Sequence, residues 1–218
     1  MTTISDLRRE NGFTLMELLV ASVCTMIVLG SAVSLTSQIQ TGYRRQLEDS
    51  AGEQEARYAL EWIGRYLRGA GNNPFNVTVS QCPGANTNFY GIIMDPNADG
   101  VNNDITIQSD ANPPDGLIGG ASGSCNQANE HVTISFDNTN KTIIFLDEAV
   151  GANATTRTDN VINNLTFTYL DSARAVTTVQ ANVFYVQTAI QIRTRTMNGP
   201  SGAPSTRTLS SEIRVRGR

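Results

Sequence analysis

From Phe13 to about Thr36 the chain is apolar without interruption except for one charge, Glu17. At about 1.5 Å per residue, a helix over this run exceeds the hydrocarbon core of a bilayer, about 30 Å thick. The segment is read as a spanning helix. An ionisable side chain within such a helix marks a functional site by default, with a partner to be found. Upstream lies a polar leader, MTTISDLRRENG, whose Arg8 and Arg9 stand next to the membrane on what should be the cytoplasmic side. A secretory signal places its small-residue cleavage site after the apolar stretch, whereas here Gly12 precedes it. Cutting after Gly12 would remove the leader and keep the helix. The plainer reading is an ordinary signal anchor whose Glu17 snorkels to the interface.

A chain of 218 residues suits one globular domain plus an extended helix. Hydrophobic residues make up 39%, a modest core, with Asn, Thr, Ser and Gly filling much of the rest. That polarity fits a β-rich domain with many turns. The net charge of −4 hides an asymmetry: residues 71–173 set Lys141 and Arg157 against eleven acids, and from Arg174 onward seven Arg face one Glu.

Past the span a helical period continues through Ile39, Tyr43, Leu47 and Ala51, then Ala56, Ala59, Leu60, Ile63, Leu67 and Ala70. Spacings of three and four make one stripe that can lie on a sheet, so a single helix is predicted from Phe13 to Arg68. Its stop is marked by Gly69, Gly71 and Pro74 after a last turn holding Arg65 and Arg68. Gly30 and Gly52 are either hinges or tolerated glycines. Beyond Pro74 the period becomes two. Strands are predicted at Asn76–Ser80, Asp104–Gln108, His131–Phe136, Thr142–Asp147, Leu165–Leu170, Val183–Thr194 and Arg207–Arg216, with irregular loops between about Gln81 and Glu130. The expected fold class is α+β, one long N-terminal helix packed on an antiparallel sheet.

The string GFTLMELLVAS resembles the cleavage and methylation signal of type IV pilins and pseudopilins, with glycine, aromatic, carboxylate and apolar run in register. The resemblance implies that a prepilin peptidase cuts after Gly12 and methylates Phe13, and that Glu17 neutralises the new amine of a neighbouring subunit. It implies a leader at 1–12, a transmembrane helix at 13–36, its amphipathic continuation at 37–70 and a β-rich head at 71–218. EARYALEWIGRYLRGAGNNPF is similar to the end of the long helix in W-type (PilW-like) minor pilins, and DNVINNLTFTYLD and RTLSSEIRVRGR resemble that group's head and the head of J-type pseudopilins. A minor pilin of this kind implies the inner membrane, a single pass with the head in the periplasm, and later the pilus at the cell surface. Its partners would be other pilins and minor pilins, the peptidase and the inner-membrane assembly platform. The runner-up is a minor pseudopilin of type II secretion. The helix lacks the midway proline that kinks many major pilins.

With the head in an oxidising compartment, Cys82 and Cys125 are the natural disulfide pair, the rival being two unpaired thiols; Cys24 lies in the span. Zinc is not expected from one His and dispersed cysteines. The loop MDPNADGVNND offers Asp95, Asn97 and Asp99, a turn at Gly100, then Asn103 and Asp104. This spacing begins like a calcium loop, but the twelfth position is Thr106 and not a bidentate Glu. Calcium binding and a solvated turn both remain open, and no other cofactor is implied.

On the C-terminal strands Arg193 and Arg195 point opposite to Ile190 and Ile192, and Arg214 and Arg216 opposite to Ile213 and Val215, giving two arginine stripes on an outer face. Such stripes suit a solvated face, docking of a neighbour's acidic loops, or contact with DNA phosphates. Catalysis has little support: GxSxG, HExxH and phosphate-cradling glycine motifs are lacking. His131 reads as a surface histidine beside Thr133 and Ser135, and Asp147 and Glu148 as solvated acids. No small-molecule substrate is expected.

Overall fold

A computed structural model describes residues 12–78, 88–111, 114–118, 127–148, 153–193 and 206–215. The chain divides into two compact units, Met1–Gln46 and Leu47–Arg218. Helix α1 covers Leu15–Gly69, 55 residues, close to the expected Phe13–Arg68. In the first unit its large apolar side chains are exposed on every side, Leu15 at 87% and Met26 at 72%. A helix apolar all round belongs in lipid or against other apolar helices.

In the second unit α1 buries Gly52, Ala56, Ala59, Trp62, Ile63, Gly64 and Leu67 on one face. The predicted stripe is too long at its start: Ile39, Tyr43 and Leu47 are exposed, and burial begins at Gly52. Small residues explain the onset. A Cβ on Gly52 would lie 4.0 Å from Ile192 Cδ1, and one on Gly64 only 2.6 Å from Ile213 Cδ1. Gly52 is thus a packing contact between helix and sheet. The helix stops as expected, with Gly71 at φ +76° and its N–H donating to the Gln108 carbonyl at 2.9 Å.

The strands form two antiparallel sheets. The five-stranded sheet is a meander of β1 (Ile92–Met94), β2 (Asp104–Gln108), β3 (His131–Asp137), β4 (Thr142–Asp147) and β5 (Thr155–Thr156). The three-stranded sheet is β6 (Ile162–Leu170), β7 (Tyr185–Arg193) and β8 (Thr206–Arg214). Apolar residues face each other across the ladders, Ile105 with Ile134, Ile134 with Phe145, and Val186 with Ile213. They join the buried face of α1 in a single core, where Trp62 meets Tyr66 and Phe145 edge-on. The protein is α+β, its helix packed on antiparallel sheets.

Several boundaries are corrected. No strand forms over the described part of Asn76–Ser80: Asn76 has φ +53°, and the Asn73 side chain bonds both the N–H and the carbonyl of Val77, curling the segment. The short edge strands β1 and β5 lie where the sequence shows too few alternating residues to mark them. β6 starts three residues before the expected Leu165, because an irregularity between Ile162 and Asn164 breaks the alternation. β7 begins at Tyr185 and not Val183, and β8 ends at Arg214 with Val215 outside it.

Candidate functional site

Gly12 and Phe13 are exposed just ahead of α1, and a Cβ on Gly12 would meet nothing within 4 Å. Thr14 caps the helix. Glu17 Oε2 accepts the Thr14 N–H at 3.0 Å and its hydroxyl at 3.1 Å, while Thr14 Oγ1 accepts the Glu17 N–H at 3.3 Å. This is a reciprocal capping box, which satisfies donors that the helix leaves unpaired. Its signal, Thr-x-x-Glu before an apolar run, stands in the sequence and was missed by reading Glu17 only as an intermolecular partner. Both bonds go to one carboxylate oxygen, so the other can meet a further donor.

The loop between β1 and β2 winds around its own acids. Asp95 accepts the N–H groups of Asp99 and Gly100 at 3.1 and 2.8 Å, and Asp99 accepts that of Val101 at 2.7 Å. The Asn97 side chain reaches Asp99 Oδ2 at 3.2 Å, and its N–H reaches Asp104 Oδ2 at 3.4 Å. The backbone carbonyls of Asn102 and Asn103 accept the N–H groups of Phe167 and Phe136, tying the loop to both sheets. Asp104 is 1% exposed, and burial raises its pKa, with the charges of Asp95 and Asp99 adding to the rise. Tyr169, whose hydroxyl donates to the Asp104 carbonyl, is also pushed upward by burial. Among the described residues no three acidic, imidazole or thiol side chains stand assembled to hold a metal.

A family model for the prokaryotic N-terminal methylation motif matches residues 7–33, the segment that contains Gly12, Phe13 and Glu17. The chain carries a type IV pilin-like prepilin signal. No curated protein and no solved structure matches the chain significantly. The prepilin signal and the helix, which is long and apolar enough to cross a membrane, together fit a membrane-anchored pilin.

The other expected site residues are dispersed. Arg193 pairs in register with Thr206 and Arg214 with Tyr185, so the two exposed arginines sit at opposite ends of the β7–β8 ladder and are not brought together. Arg195 and Arg216 lie outside the described residues, as do Cys82 and Cys125; Cys24 is unbonded and exposed on α1. Arg174 pairs with Glu212 at 3.3 Å, and Arg207 with Glu53. His131 is not on the surface: its side chain is 8% exposed and its Nδ1 donates to Glu148 Oε2 at 2.8 Å. Asp147, expected to be solvated, is buried and accepts the Asn129 N–H at 2.8 Å. The Asp147 contact comes from the turn before β3, and the His131 contact from Glu148 just after β4.

Proposed function

We propose that this chain is a structural, noncatalytic minor pilin of the W type, cleaved after Gly12, methylated on Phe13 and built into a type IV pilus or the tip complex that primes it. The observation that carries this reading is the prepilin signal, set on a helix whose first unit presents apolar side chains all round. In this reading 1–12 is the leader, 13–36 crosses the inner membrane once, 37–70 continues the helix, and 71–218 is the head, first periplasmic and later on the pilus. Its partners are other pilins and minor pilins, the prepilin peptidase and the inner-membrane assembly platform. The carboxylate of Glu17 would take the methylated amine of a neighbour's Phe13, a charge pair that apolar surroundings strengthen. Cys82 and Cys125 would be joined in the oxidising periplasm. The arginines of the β7–β8 sheet would dock acidic loops of an adjacent head, with DNA as the competing ligand.

The test has two parts. Mass spectrometry of the membrane-extracted protein should find an N-methylated Phe13 terminus and a bonded Cys82–Cys125; a chain still bearing Met1 in a strain with active peptidase would count against the reading. Deleting the gene should abolish surface pili and twitching with exoprotein release retained. Retained pili with blocked release would instead select the pseudopilin of type II secretion.

A further inference from the structure

We propose that a cleft on α1, lined by Tyr58, Trp62, Arg65 and Arg68, takes the carboxylate of an acidic side chain from an adjoining pilin subunit. The cleft holds about 130 Å³, room for the end of one side chain, and Glu61 completes its lining. Tyr58, Glu61, Arg65 and Arg68 are exposed and stand three or four residues apart, so they share one face of the helix.

The groups gathered here call for an anion. Trp62 is 6% exposed, yet its Nε1 has no hydrogen-bond acceptor among the described residues. A buried donor left unpaired is costly, so an acceptor that reaches it gains more than an ordinary hydrogen bond would. Among the described residues Arg65 and Arg68 make no ion pair, and Glu61 in the same cleft pairs with neither. Arg157 brings a third guanidinium without an ion pair to this corner. Its Cζ lies 4.5 Å from the centre of the Phe145 ring, which meets Trp62 at 6.1 Å and Tyr66 at 5.2 Å. Burial pushes the Tyr66 hydroxyl up, the charges of Arg157 and Arg65 pull it back, and Asp147 adds to the rise, so both cations act at one place. Asp147 does not answer them, being buried and bonded to the Asn129 N–H.

A carboxylate serves these groups together, because its two oxygens can meet an arginine fork and an indole N–H at once. A nucleic-acid backbone fits less well. Tyr58 also lines a neighbouring depression with Glu55 and Asp159, so phosphates laid across it would meet three acids, Glu61 included. Tryptophan, tyrosine and arginine are, moreover, the side chains that dominate binding energy where proteins meet. That the acid comes from a pilin rests on the reading above. A copy of this head offers acids in surplus, since residues 71–173 set eleven against Lys141 and Arg157.

Trp62 is the only tryptophan in the chain, so its emission reads the cleft directly. The full chain in detergent is titrated, at millimolar concentration, with a blocked tripeptide whose one charge is a central glutamate. Emission should change saturably, the glutamine counterpart should leave it unchanged, and inorganic phosphate should act more weakly. Arg65→Gln should raise the midpoint at least about fivefold, and Arg157→Gln likewise. Arg65 is exposed, so its variant keeps the fold even where losing Arg157 from Phe145 loosens it. In cells Arg65→Gln should be cleaved like wild type while its share of sheared filaments falls at least about threefold. No response to the glutamate peptide, an equal response to glutamine or phosphate, an unshifted midpoint in Arg65→Gln, or undiminished incorporation of the matured variant would overturn the proposal. An uncleaved wild type would overturn the pilin reading instead, and the titration would still decide the cleft.

Discussion

His131 and Glu148 show what a single buried contact asks of the chain. The imidazole heads β3 almost out of reach of solvent, and its hydrogen bond holds Glu148 below the ordinary glutamate value of 4.5. A carboxyl whose folded pKa is depressed contributes stability above its unfolded value, and loses it as pH falls through the folded one. The stability gap between wild type and Glu148→Gln should therefore be open above about pH 4.5 and close progressively below it. Denaturant melts at a series of pH values read the gap directly, and one that stays constant through the acid range would remove Glu148 from the account. Alternation in the sequence set His131 beside Thr133 and Ser135 correctly, but the side chain is buried and bonded to Glu148 beyond β4, a neighbour that a period cannot show. Asp104 was legible as a candidate ligand and as the start of a strand for the same local reasons. Its orphaned oxygen was not, because only tertiary packing buries it.

Between elements, backbone meets backbone closely where α1 ends and β1 begins. Gln108 in β2 accepts the Gly71 N–H and donates its own to the Gly91 carbonyl, both at 2.9 Å. This draws two glycine backbones together: a Cβ on Gly91 would stand 2.7 Å from Gly71 Cα and 2.9 Å from its nitrogen, at φ +76°. Backbone cannot move aside as a side-chain tip can, so Gly91→Ala should cost about 2 kcal/mol or more. Gly69→Ala, where a Cβ meets nothing within 4 Å, should be neutral or slightly stabilising. Chemical denaturation of the pair decides the matter, and equal midpoints would refute the close approach. The helix end itself was legible, because Gly69, Gly71 and Pro74 are local stop signals. The need for glycine at Gly91 was not, nor was β1, since both depend on β2 arriving from elsewhere in the chain.

At the scale of the whole molecule, the change of period from helical to alternating made the α+β class readable, and the apolar run made the anchor readable. What the isolated chain leaves open is how an apolar surface exposed on every side of the first unit is covered, since such a surface demands lipid or other apolar helices. Glu17 lies in that surface, and its bonds to Thr14 give it a role within its own chain as well as the proposed role between chains. Glu17→Gln separates the two. A glutamine oxygen can still accept from Thr14, so the helix start should persist and cleavage after Gly12 should proceed, but no charge remains to meet a neighbour's amine. The variant should insert and mature at wild-type levels while its share of sheared filaments falls at least about tenfold. Wild-type recovery in filaments would mean that the carboxylate serves the helix cap alone. Loss of cleavage together with incorporation would mean that it acts in processing and not in assembly, so the ratio of mature membrane protein to filament protein, read on one blot, distinguishes all three outcomes.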